Sequence, residues 1–255
     1  MTFDKPELLN ARIELFTDFQ RPDSENEGPY LLVMDDFYPE PEDVRSIALK
    51  QEFFQYSPPL AEQVGAEIAG RFSESDPRWF STSLLRYQGK PVKHPQPGFR
   101  YAGKDVAARL ADIVGEKPDH ATWATLGDGW NGAFHLQFAG TGGSSFSVHH
   151  HYKKGDVYPR GWSGVVYLTP DAPESAGTTI WKDQKSGKCI AQEGAVFSKD
   201  MSRFEKVLTV QNRFNRLVLF RENVLHRAEP GFGDSPETGR LTQTFFFLNG
   251  ITRCD

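Results

Sequence analysis

Ser144-Ser145-Phe146-Ser147-Val148-His149-His150-His151 is the stretch on which the reading of the whole chain turns. Side chains on an extended strand alternate between its two faces, so His149 and His151 project together while His150 points away. Two imidazoles on one strand face make half of a metal site. The other half has to come from a strand that pairs with this one or neighbours it in space. His226, which follows the apolar run Leu217-Val218-Leu219-Phe220, is the best candidate.

The sequence around the triplet carries a strand period. Phe134, Leu136 and Phe138 fall on one face, His135 and Gln137 on the other, and one of these faces is a candidate pocket wall. His135 and Gln137 by themselves are ordinary hydrogen-bonding residues and receive no ligand role. Trp162 to Leu168 reads as a buried strand, followed by short strands at Gly177 to Trp181, Gly194 to Ser198, Leu208 to Val210, Arg216 to Phe220 and Leu241 to Leu248. Repeated short strands with turn signals between them indicate a sandwich or barrel made of two sheets. Trp162, Tyr167 and Trp181 are read as core or pocket wall.

The first half is more mixed. Residues 1–28 are polar and uneven and read as an exposed N-terminal arm. Tyr30 to Met34 is a short strand, and Pro41 to Leu49 opens as a helix, with proline and acids suited to a first turn. Residues 57–103, rich in proline and glycine, are expected to form long loops, and with 153–161 they are candidates for a substrate wall. Lys104 to Val114 returns to helical spacing and stops at Gly115. The expected organisation is a single domain over 1–255, with an arm at 1–28, a helical and loop-rich flanking region at 29–130, and the metal-bearing core at 131–250.

Composition narrows the partners. With 25% charged residues, 38% hydrophobic residues and a formal net charge of -5, neither disorder nor a polyanion-binding surface is indicated, so nucleic acid is not expected. No apolar run approaches the roughly 20 residues needed to span a bilayer, and Met1-Thr2-Phe3-Asp4-Lys5 lacks a signal-peptide pattern. A soluble, cytoplasmic protein without a membrane partner is the expectation. Cys189 and Cys254 are too few for a disulfide framework and read as reduced thiols.

Several of these segments together resemble the Fe(II)/2-oxoglutarate-dependent oxygenase superfamily. They are His149-His150-His151-Tyr152, Trp162 to Pro170, Arg216 to Phe220 with His226, and Arg240-Leu241-Thr242. The likeness covers roughly residues 130–249, with a looser likeness at Met34-Asp35-Asp36-Phe37-Tyr38. It implies a mainly β fold with flanking helices, built on a double-stranded β-helix, or jelly roll. It further implies Fe(II) held by His149, His151 and His226, and 2-oxoglutarate held at its far carboxylate by Arg240 and Thr242. Arg240 stands fourteen positions after His226, where the family commonly has a basic residue. A guanidinium fork suits a carboxylate.

That resemblance implies consumption of O2 and 2-oxoglutarate, with hydroxylation of a small molecule or amino-acid-type substrate. One position departs from the family: His151 stands where an acidic ligand is expected, unless Asp156 or Asp183 supplies one from elsewhere. Two alternatives follow. One is a three-histidine iron dioxygenase that does without 2-oxoglutarate, and the other is a non-catalytic jelly-roll binding protein.

Overall fold

Leu31-Leu32-Val33-Met34 and Leu217-Val218-Leu219-Phe220 are apolar at every position, as strands covered on both faces are. In a computed structural model of the chain both lie side by side in a large antiparallel sheet. The structure describes residues 13–16, 30–51, 53–55, 79–82, 86–87, 90–91, 104–115, 131–140, 147–151, 161–191, 198 and 200–248. In chain order the elements are β1 (Ile13–Phe16), β2 (Leu31–Met34), α1 (Pro41–Leu49), β3 (Phe54–Gln55), β4 (Trp79–Ser81), β5 (Arg86–Tyr87), β6 (Lys90–Pro91) and α2 (Lys104–Val114). There follow β7 (Phe134–Gln137), β8 (Gly161–Tyr167), β9 (Thr178–Asp183), β10 (Phe204–Val210), β11 (Leu217–Arg221), β12 (His226–Ala228) and β13 (Arg240–Leu248).

Eight strands form one sheet in the order β1-β2-β11-β8-β13-β7-β4-β3, and three form another in the order β10-β9-β12. Val148 and His149 extend the smaller sheet by bridging to Ser198 and His226. From β7 onward the chain therefore passes from sheet to sheet: β7 large, Val148-His149 small, β8 large, β9 and β10 small, β11 large, β12 small, β13 large. That connectivity is a jelly roll. A separate pair, β5 with β6, stands outside both sheets.

Period-two alternation divides the core into two layers. Leu32, Met34, Phe134, Leu136, Leu217, Leu219, Leu241, Phe245 and Phe247 face outward from the large sheet and meet the helices, as Val44, Ala48, Val106 and Leu110 belong to the same cluster. Their neighbours in sequence, including Val33, Tyr167, Val218 and Phe220, point inward toward Ile180, Val210 and the small sheet. In α1, Pro41 opens the first turn with Glu42 and Asp43 behind it, where their charge suits the helix dipole. After α2, Gly115 takes a φ of +70°, the left-handed conformation that commonly ends a helix.

The link from β2 to α1 is tied to the jelly roll by side chains. Asn215 accepts the Tyr38 N–H and donates to the Tyr38 carbonyl, both at 2.8 Å. Arg216 forks onto Asp35 at 2.5 and 2.9 Å. Asn215 itself has a φ of +64°, a conformation asparagine tolerates better than most residues.

Three expectations need correction. Ile13–Phe16, inside the anticipated arm, is an edge strand paired with β2. Trp79–Ser81, inside the anticipated loops, pairs with β7 and extends the large sheet, while Arg86–Tyr87 and Lys90–Pro91 form a small hairpin. The strand at Leu208 to Val210 begins earlier, at Phe204. Gly194 to Phe197, residues 153–160 and Cys254 lie outside the described residues. Among the described residues no helix is long and apolar enough to cross a membrane.

Leu110 is fully buried in the outer layer. Leu110→Ala should lower unfolding stability by about 2–5 kcal/mol, measurable by urea denaturation, and a loss well under 1 kcal/mol would contradict the docking of α2.

Candidate functional site

His149 and His226 face each other across an antiparallel bridge. The His149 N–H donates to the His226 carbonyl at 3.1 Å and the reverse bond is 2.9 Å. Residues that exchange both bonds are direct cross-strand neighbours with side chains on the same face. The two rings stand 4.4 Å apart, centre to centre. His151 lies beyond the bridge, its N–H held by the Glu222 carbonyl at 2.7 Å, and its ring is 5.2 Å from His149 and 4.7 Å from His226. One ring nitrogen from each of the three lies within 4.8 Å of the others. His150 points elsewhere and is buried.

Hydrogen bonds set which nitrogen of each ring is available. The Nδ1 of His149 is 3.0 Å from the Ser147 carbonyl and that of His226 is 2.8 Å from the Val224 carbonyl. A carbonyl only accepts, so these Nδ1 atoms carry the proton and the neutral rings keep their lone pair on Nε2. His151 differs, because its Nδ1 meets the Ser163 hydroxyl at 2.6 Å, a group that can give or take. Burial pulls all three imidazoles below their ordinary pKa, His151 and His226 well below it. The cluster is therefore neutral, as metal-binding histidines must be.

Of the two acids considered as substitutes for His151, Asp183 does not join the cluster. Asp183 accepts from Arg203 at 2.6 and 3.2 Å and from the Lys185 N–H at 2.9 Å, and Asp156 lies outside the described residues. Among the described residues the cluster contains histidine alone.

Arg240 and Thr242 lie on the inner face of β13, two residues apart, with Thr244 and Phe246 continuing the row. Arg240 is 3% exposed. Its Nε donates to the Ala176 carbonyl at 2.8 Å, one Nη to the Gly177 carbonyl at 3.1 Å, and the other to the Gln137 side-chain oxygen. The guanidinium also lies 5.6 Å from the Tyr167 ring centre. Among the described residues no carboxylate forms an ion pair with it. Burial lowers its pKa, a direction that reports a cation held away from water.

The close approach of Gly177 has a cause: a Cβ there would stand 1.8 Å from the Val210 carbonyl oxygen, so glycine alone fits. From Gly177 to Ile180, which pairs with His226, runs about 10 Å of extended strand. That length separates the guanidinium's anchor from the histidine cluster.

Gln137 and His135, which received no ligand role from the sequence, line this interior together with Tyr167, which was read as core or pocket wall. Gln137 pairs in register with Arg240 and holds its guanidinium. His135, opposite Thr242, bonds Thr244 at 3.0 Å, and burial followed by the Arg240 charge pushes its pKa down to about 3. Tyr167 is part of the inner wall, its hydroxyl donating to Thr178 at 2.7 Å. The alternation of β7 did place His135 and Gln137 on one face; only register shows that the face is internal. Trp162 and Trp181 instead face outward from the two sheets, under Arg221 and Arg227 respectively.

Residues 191–247 match a protein family described as a family of unknown function (DUF6445), a stretch that takes in His226, Arg240 and Thr242. A search of curated proteins finds no significant match. Among solved structures, the chain is similar to the non-heme alpha ketoglutarate dependent epimerase SnoN from nogalamycin biosynthesis, at 12% identity and a TM-score of 0.44 over 86% of this chain and 76% of that one. It is similar to HygX from Streptomyces hygroscopicus at 15% identity and 0.42, over 87% and 84%. It is also similar to a Pseudomonas putida prolyl-4-hydroxylase at 16% identity and 0.40, over 88% and 94%. At these values the chemistry has to be argued from the site itself.

The Arg203 partnership holds the Asp183 carboxyl below its ordinary pKa. Its stabilisation is present above the unfolded-state value near 4 and is lost as pH falls toward the lower folded value. Asp183→Asn should be less stable than wild type at pH 7 by no more than about 1 kcal/mol, since Arg203 is partly exposed. The difference should close below about pH 4 in denaturation curves, and metal affinity should stay unchanged; a loss of metal binding would restore Asp183 as a ligand.

Proposed function

We propose that the protein is a non-haem Fe(II)- and 2-oxoglutarate-dependent oxygenase acting on a small molecule or amino-acid-type substrate, with His149, His151 and His226 as metal ligands and Arg240 and Thr242 as the carboxylate site. The observation that carries this reading is the convergence of three neutral imidazoles in the same interior as a buried arginine that forms no ion pair with a carboxylate among the described residues. The donor set fits a divalent first-row ion. Imidazole nitrogen suits iron, and three protein ligands leave further positions for exogenous ones.

When bound, Fe(II) with 2-oxoglutarate and O2 supplies the oxidising chemistry. The chain's own contribution is placement and charge. Ser147 and Val224 carbonyls fix the tautomers of two ligands, as partners behind metal-bound histidines do. Arg240, already oriented by Ala176, Gly177 and Gln137, offers its remaining N–H groups to an anion without having to be ordered at the moment of binding. Among the described residues Glu229 acts on the Arg240 charge without pairing with it, so the N–H groups left over on the guanidinium suit an anionic guest. His149, His151, Val165, Thr244 and Phe246 are half-buried while most of the inner wall is buried, so they mark the side from which a substrate approaches.

The histidine in place of an acid also favours a second reading, a three-histidine dioxygenase in which Arg240 pairs with a carboxylate of the substrate and 2-oxoglutarate is not used. The two readings part on one measurement. Anaerobic addition of Fe(II) and then 2-oxoglutarate should produce a visible charge-transfer band, and aerobic incubation with candidate substrates should yield succinate. Oxygen uptake independent of 2-oxoglutarate would favour the second reading. Absence of metal binding would leave a jelly-roll binding protein.

Arg240→Met should weaken 2-oxoglutarate binding by at least about thirtyfold, the scale for losing a buried charge pair, with metal affinity retained. Arg240→Lys should recover only part of it, because an ammonium cannot reproduce the fork. Unchanged 2-oxoglutarate affinity in Arg240→Met would remove this residue from the site.

A further inference from the structure

The place occupied by His151 has its own architecture. Phe220 on β11, Ser163 on β8 and Phe246 on β13 are register partners across three adjacent strands, and all three point inward. The His151 ring lies on this row. Its Nδ1 meets the Ser163 hydroxyl at 2.6 Å and its centre is 5.1 Å from Phe246 in an edge-on arrangement, while Phe220 stands 6.4 Å away on the other side and packs more closely, at 4.2 Å, on His226. Aromatic rings favour such edge-on and offset contacts.

We infer that the row Phe220–Ser163–Phe246 is a seat built for an imidazole, so that the centre is a three-histidine site by construction and an acid at position 151 degrades it. This rests on the metal reading above. The chemistry of the seat is one hydroxyl between two aromatic side chains. A neutral imidazole presents one N–H to that hydroxyl and a flat apolar surface to the rings. An ionised carboxylate accepts at two oxygens and several lone pairs. With one oxygen turned to a metal, the other meets Ser163 as the one polar side chain of this row, and the phenyl rings cannot hydrogen-bond it. Aspartate also lacks the ring that packs edge-on against Phe246.

Ser163 is the positioning residue. His149 and His226 lean on backbone carbonyls two residues before them, supports that no side-chain substitution removes directly. His151 has a side-chain hydroxyl instead. With the hydroxyl accepting, the proton sits on Nδ1 and Nε2 is free to bind; with it donating, the neutral ring must carry its proton on Nε2 and cannot. The third ligand is thus the one whose tautomer a single side chain controls.

Cobalt(II) titration of the full chain, followed by visible absorption, tests this without turnover. Wild type should bind one Co(II), and both His151→Asp and His151→Glu should weaken binding by about tenfold or more, the two lengths covering differences in reach. Ser163→Ala should weaken it by about tenfold, within the range for partners behind metal ligands, while thermal midpoint and circular dichroism stay near wild type. In a His151→Ala background the same serine substitution should have no effect. Tighter or equal binding by either acid variant overturns the inference alone, as does a serine effect that persists without His151. No Co(II) binding by wild type overturns the metal reading and this inference with it.

Discussion

Two backbone hydrogen bonds, exchanged between His149 and His226, hold the candidate centre together. They make the residues direct cross-strand neighbours, so their rings share a face and a distance that the side chains cannot choose. The bridge forms because β12 is the edge of the small sheet and still has backbone groups to offer. The chain on either side then settles the rest: His150 turns away into the wall, and His151 emerges one pleat further on, where β8, β11 and β13 of the opposite sheet meet it. The jelly roll matters here chiefly as the topology that brings an edge strand of one sheet over the inner face of the other.

The Arg240 guanidinium follows a different logic. A buried cation without a carboxylate partner loses its hydration, and hydrogen bonds donated to uncharged carbonyl and amide oxygens restore only part of that. The structure supplies two such carbonyls from one tight approach, at Ala176 and Gly177, and the glycine is required because Val210 leaves no room for a side chain. Such an arrangement is costly in a core whose only purpose is stability; an apolar residue packs there more easily. It becomes reasonable in a cavity that receives an anion, since the guest supplies the missing charge and the guanidinium is already aimed.

How far the sequence made this legible depends on whether a feature is local. The pleat separates His149 and His151 from His150, the long apolar runs mark β8, β11 and β13, and helical spacing marks α1 and α2; all are readable because neighbours in sequence carry the signal. Ile13–Phe16 and Trp79–Ser81 escaped because three or four residues contain at most two cycles of alternation, and their strand character comes from the partner they pair with. Ser163 escaped for a stronger reason. One serine in an otherwise apolar strand says nothing by itself, and its position opposite His151 is fixed by the register of strands up to 87 residues apart in sequence, Gly161 with Leu248.

Register bears on why a histidine, rather than an acid, stands at position 151. Were His151 a lone substitution in a site otherwise shaped for an acid, the strands facing it should still offer an acid several N–H donors. Two phenylalanines flank it instead, and the one polar group in the row sits at hydrogen-bond distance from Nδ1. Phe220 and Phe246 belong to strands that also build the deeper wall, so neither is free to vary independently of the core. Position 151 and its seat therefore form one unit drawn from four segments of chain, and a change of ligand chemistry at this centre involves the opposite sheet as well as the histidine.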